Sequence, residues 1–172
     1  HPSTNANLEQ RLQVLDLILD RNPEVGWDIL ISLMPSAHQL SRHTHEPTWR
    51  EFGRSDKETL TNGIIRETYN QILSRSIYRA GKSIDRWKQL INVYADLSLF
   101  GDLSLYQQTI EDGLKELLHG DINEESKIVI WDTLRELIYQ HQGFATASWV
   151  LPEERLTRLS KIMDLIAPND PI

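Results

Sequence analysis

Residues 38 to 54 hold the densest collection of chemically versatile side chains in the chain: His38, Arg42, His43, His45, Glu46, Trp49, Arg50, Glu51, Phe52 and Arg54. Imidazoles and carboxylates are the nitrogen and oxygen ligands of zinc and other borderline metals. One reading is therefore a metal-dependent enzyme centred on His38, His43 and His45. The spacing argues against it. His43 and His45 are one residue apart, and no His-x-x-x-His or His-Glu-x-x-His frame exists. The preferred reading is a surface loop with polar imidazoles, with no metal and no cofactor assigned. Trp49 and Phe52, three positions apart, suit apolar anchors for a polar insertion better than a stacking platform. Arg42, Arg50 and Arg54 could fork around a carboxylate or phosphate, although Glu46 and Glu51 are nearer partners. The binding candidates taken from this stretch are His43, His45, Trp49, Arg50 and Arg54.

A second cluster lies between residues 75 and 88, where Arg75, Arg79, Lys82, Arg86 and Lys88 accompany a single acid, Asp85. Phosphate oxygens could be met by such cations, so Arg75, Arg79, Lys82 and Arg86 form a candidate nucleic-acid patch. Gly81-Lys82-Ser83 imitates the end of a phosphate-binding loop, but position 76 is Ser and no strand precedes it. Cations in a last helical turn before glycine are ordinary compensation of the helix dipole, and that reading is favoured. Acids at Glu111, Asp112, Asp121, Glu124, Glu125, Asp132 and Glu136 have helical partners in Lys115, Lys127 and Arg135, which predicts a solvated polar surface. No Gly-x-Ser-x-Gly elbow and no glycine-rich dinucleotide turn is present, so no catalytic residue is assigned.

Positioning these residues falls to helices. Leu8, Leu12, Leu15, Ile18 and Leu19 predict a helix over 7–21, and Asn22-Pro23 caps and opens a second that ends at Met34-Pro35. The polar stretch from Pro35 to Arg54 is the one long loop. Ser55-Asp56-Lys57-Glu58 has capping-box spacing for a helix reaching Ala80, with Leu60, Ile64, Ile65, Tyr69, Ile72, Leu73 and Ile77 as its stripe. Gly81 stops it, and Ser83 opens a fourth with Trp87, Leu90, Ile91 and Tyr94. A fifth uses Leu103, Tyr106, Ile110, Leu114, Leu117 and Leu118. Asn123 caps a sixth carrying Ile128, Trp131, Leu134, Leu137 and Ile138. Pro152-Glu153-Glu154 opens the last, with Leu156, Leu159, Ile162, Met163 and Ile166.

Trp27, Trp87 and Trp131 each begin a similar apolar stripe. The step from Trp87 to Trp131 is 131−87 = 44, within the range of about 40–47 of HEAT and armadillo repeats. The step from Trp27 to Trp87 is 87−27 = 60, and the excess matches the 35–54 loop, which reads as an insertion into one repeat. The expected fold is all-α: about seven helices in antiparallel pairs, a HEAT-like α-solenoid segment, with an irregular helical bundle as the alternative.

The totals agree with one helical-repeat domain over 1–172, long enough to bury about two thirds of its unfolded surface. Hydrophobic content is 40% and charged content 25%. No run of about 18 apolar residues exists, so no membrane span is expected. The absence of cysteine removes disulfides and thiolate sites and inclines towards a cytoplasmic setting. A net charge of −7 argues against generic nucleic-acid or anionic-membrane binding. The start at His1-Pro2-Ser3-Thr4 and the linker-like end at Pro168-Asn169-Asp170-Pro171-Ile172 read as an excerpt of a longer chain.

Leu8 to Met34, the pattern His38…Thr44-His45-x-Pro47-x-Trp49-Arg50, and the ending Leu151-Pro152-Glu153…Pro168-x-Asp170-Pro171 resemble the helical region of large bacterial multidomain proteins of the nucleotide-binding signalling and phage-defence kind. The resemblance covers most of the chain. It implies a cytoplasmic scaffold or sensor arm, with effector and NTPase parts elsewhere in the parent chain, and carries over no catalytic residue. The expected role is non-catalytic interaction with a protein partner or with other domains of the same chain. The metal-binding enzyme and the basic-turn nucleic-acid binder are the alternatives.

Overall fold

Side-chain caps set most of the helix starts. In the computed structural model, which describes residues 6–35, 61–97, 104–144, 147 and 149–168, these residues form seven α-helices and no strand. They are α1 Leu8–Arg21, α2 Pro23–Ser32, α3 Asn62–Ala80, α4 Ile84–Leu97, α5 Ser104–His119, α6 Glu124–Gly143 and α7 Glu153–Asp164. Asn7 and Gln10 form a reciprocal capping box at α1, at 2.9 and 3.0 Å. Asn22, Thr61 and Asn123 each accept a backbone N–H at the start of α2, α3 and α6. Gly81 closes α3 at φ +48°, a conformation that favours glycine.

The expected boundaries differ in small ways. The Ser55–Glu58 capping spacing lies outside the described residues, and α3 begins later than that spacing predicts, at Asn62, with extended Thr61 as its N-cap. Pro152 occupies the N-cap position of α7 instead of its first turn, with ψ 145° and no side-chain cap.

Alternate helices lie side by side in the same sense. Asp16 and Asp20 of α1 pair with Arg75 and Arg79 of α3, both across 59 positions. Glu24 and Trp27 of α2 meet Arg86 and Gln89 of α4, both across 62. Advancing along one helix advances the contact along the other, so α1 and α3 run in the same sense, as do α2 and α4. Tyr106 of α5 donates to the Arg66 carbonyl of α3, and Gly113 of α5 sits against Ile77 of α3. That pair also runs in one sense. Further packing joins α2 to α3, α4 to α5, α4 to α6 and α6 to α7.

Among consecutive helices α1 packs on α2, α4 on α5 and α6 on α7, and at the first of these Gly26 allows close approach: a Cβ there would lie 2.8 Å from the Leu19 Cα. At the α5 boundary Trp87 fills the space beside Gly113, and interaxial distance follows side-chain size at the contact. The core takes in Leu15, Leu19, Leu30, Leu90, Ile91, Ile110, Leu114, Leu134 and Ile162, each burial contributing about 1.5–3 kcal/mol. Ile128, expected inside, is exposed, and Ile130 is buried in its stead.

The three indoles are not equivalent. Trp27 and Trp87 are buried, but Trp27 donates to the Gln89 side chain at 2.9 Å and Trp87 to the Gly81 carbonyl at 2.8 Å. Trp131 is half-buried beneath the Arg135 guanidinium. The three tryptophan segments therefore do not occupy equivalent environments.

Candidate functional site

The 35–54 loop, with candidates His43, His45, Trp49, Arg50 and Arg54, falls outside the described residues beyond Pro35. Among the described residues no group of three His, Asp or Glu is placed to hold a metal ion.

The basic turn is fully placed, and Arg75, Arg79, Lys82 and Arg86 have partners, while Lys88 faces solvent. Arg75 forks onto Asp16 through Nε at 2.8 Å and Nη2 at 2.9 Å. That hydrogen bond first, and the charge behind it, holds the Asp16 carboxyl below its ordinary range. Arg79 reaches Asp20 at 2.5 Å. Arg86 donates to Glu24 at 2.9 Å and to the Arg79 carbonyl at 2.7 Å, and lies 5.0 Å from the Trp27 ring centroid. Lys82 reaches the Asp121 carbonyl at 3.3 Å, joining the α3–α4 turn to the α5–α6 turn. These four residues act as the fastening between helix pairs. A carbonyl cap on α3 by Arg86 agrees with the dipole reading; the acids across from the turn are what sequence reasoning missed.

Glu111, which the sequence places on a solvated face, lies inside the molecule at the centre of a polar cluster. Glu111 of α5 is 1% exposed. Its Oε1 accepts from the Tyr94 hydroxyl at 2.7 Å and from Arg155 Nη1 at 3.4 Å, and Arg158 Nη1 stands 3.7 Å from Oε2. Gln107 completes the group by donating to the Tyr94 carbonyl at 3.1 Å. Burial first, then the neighbouring carboxylate, pushes the Tyr94 hydroxyl far above its ordinary value and keeps it a donor. The signal was available: Glu111 sits beside Ile110 and one turn before Leu114, within the apolar stripe of α5. The crevice it shares with Ile91, Tyr94, Ile110, Leu114 and Leu159 leaves no room for a water-sized molecule. The cluster therefore joins α4, α5 and α7 and presents no cleft for a substrate. Of the remaining acids, Asp112, Glu124 and Asp132 pair along their own helices with Lys115, Lys127 and Arg135 at 3.1, 2.6 and 2.6 Å.

His141 is a further buried polar group, at 3% exposure. Its Nδ1 accepts the Leu151 N–H at 3.1 Å, and Trp149 stands edge-on at 5.2 Å between centroids. Burial alone lowers its proton affinity. The imidazole thus fastens the segment between α6 and α7 back onto α6.

No helix among the described residues is long and apolar enough to cross a membrane. Comparison with protein-family models, with curated proteins and with solved structures finds no significant match to this chain.

Proposed function

We propose that this chain is a HEAT-like helical-repeat segment acting as a non-catalytic scaffold, which binds a protein partner or another domain along the surface of its stacked helix pairs. The observation that carries the reading is the repeated register: α1 onto α3 and α3 onto α5, each in one sense, with α2 onto α4 alongside. Stacking of this kind creates extended surfaces without needing an enclosed pocket. Two buried polar groups support it too, because Glu111 joins α5 to α4 and α7 and Gln107 joins α5 to α4. In this arrangement α1, α3 and α5 form one layer and α2, α4 and α6 the other.

A photo-crosslinking residue introduced singly in producing cells tests the proposal. Positions 14, 78 and 105 sample the first layer, and positions 28, 88 and 139 the second. A discrete protein adduct confined to one layer is expected. Absence of an adduct at every position overturns the scaffold reading.

A further inference from the structure

The outward face of α6 departs from the pattern of an ordinary surface helix. Its inward side is built from Ile130, Leu134, Leu137, Ile138 and His141. Opposite them, at positions i, i+7 and i+11, lie Ile128, Arg135 and Tyr139, with Trp131 on the flank. Ile128 is 48% exposed and Tyr139 78% exposed. Arg135 is drawn over Trp131, 5.3 Å from its centroid, and held there by Asp132. The neighbouring α4 instead presents Asp85, Lys88 and Asn92 to solvent. Aromatic and arginine side chains gathered on an exposed surface are the residue types that dominate binding energy at protein interfaces.

Beside this row runs a second one, Glu125, Asp132 and Glu136, with the same i, i+7, i+11 spacing. Glu125 and Glu136 pair with no cation among the described residues, while Asp132 is engaged by Arg135. A row in which Ile128, Trp131 and Tyr139 surround Arg135, itself neutralised by Asp132, and beside which Glu125 and Glu136 stand unpaired among the described residues, is complementary to a helix with an apolar stripe and basic flanks.

We infer that the outward face of α6 docks a basic amphipathic helix of a partner protein. Its apolar residues seat against Ile128, Trp131 and Tyr139, and its lysines or arginines meet Glu125 and Glu136. The inference rests on the scaffold reading and names its docking surface.

The probe is a fluorescein-labelled synthetic 18-residue peptide with leucines at helical i, i+3, i+4, i+7 spacing and lysines elsewhere. Its anisotropy is titrated with the full chain, beside a scrambled peptide of the same composition and a version with glutamate for lysine. The patterned lysine peptide should bind, and the scrambled one about tenfold more weakly. Tyr139→Ala and Ile128→Ala should each weaken binding roughly five- to tenfold, the scale of an interface hot spot. Glu136→Lys should weaken it and reduce its salt dependence. Tyr78→Ala, on α3, should leave it unchanged. Equal binding of the scrambled peptide, or indifference to the α6 substitutions, overturns the inference. Crosslinks found only away from position 139 would sink this surface and spare the scaffold; crosslinks found nowhere would sink the scaffold itself.

Discussion

At Glu111 a carboxylate is held inside the molecule by donors from α4 and α7, so its removal strands a buried tyrosine hydroxyl and a guanidinium that is 13% exposed. Breaking a buried pair from one side costs about 3–5 kcal/mol, and Arg158, at 39% exposure, can turn to water. Glu111→Ala should therefore cost about 3 kcal/mol in urea unfolding, and Tyr94→Phe about 1 kcal/mol. Gly26 offers a test of opposite sign to helix propensity. Alanine is the better helix former by about 1 kcal/mol, yet its Cβ would meet Leu19 backbone at 2.8 Å. Gly26→Ala should destabilise by about 1–3 kcal/mol, whereas Gly143→Ala, with nothing within 4 Å, should be neutral or stabilising. His141 sets a pH window. Its folded-state proton affinity is lowered, so the stability it contributes is present above its ordinary value of 6.5 and is lost as pH falls below it. Chemical denaturation between pH 7.5 and 5 should show falling stability, and His141→Gln should flatten that slope.

At the scale of elements, three ion pairs join the first helix pair to the second, and none is individually strong. Asp16, Asp20 and Glu24 are 41%, 64% and 84% exposed, and exposed pairs are worth about 0–1 kcal/mol each. Their importance is register. Arg75→Asp would set two acids against each other, and Asp16→Arg in the same chain should restore the attraction. The reversed double variant should melt closer to the original than either single variant does; equal melting of all three would mean the pair contributes nothing. The seven helices were legible in the sequence because caps such as Asn22, Asn123 and Gly81 and stripes such as Trp87–Leu90–Ile91–Tyr94 act within a few residues. Glu111 and the partners of Arg75, Arg79 and Arg86 were not, because they depend on side chains 17 to 62 positions away. Ile128 was misassigned because helical spacing alone admits two neighbouring stripes on α6, and only packing against α4 and α7 selects the one through Ile130. Of the candidate site, the basic turn was visible as a cluster, but its role in fastening helices needed the acids opposite it.

For the whole molecule, the proposed repeat makes a claim that an irregular bundle does not. In a row of helix pairs, each pair contacts its neighbours alone, so stability is close to a sum of unit and interface contributions. A chain beginning at Thr61 would lack α1, α2 and the 35–54 loop. It would leave Arg75, Arg79 and Arg86 in water, where unpaired surface cations cost little, and would uncover the side of α3 that packs on α2. The interior shared by α4, α5, α6 and α7, including Glu111 and Tyr94, would be untouched. The shortened chain should therefore keep its helicity per residue and unfold cooperatively. Its urea midpoint should be lower, and its dependence on urea should be shallower in proportion to the surface no longer buried. A bundle with one indivisible core would respond differently: loss of two helices would leave a chain with weak helical signal, no cooperative transition and exposed apolar surface that binds hydrophobic dyes. Circular dichroism through a urea titration separates the two, and collapse of the shortened chain would remove the repeat on which the scaffold proposal is built.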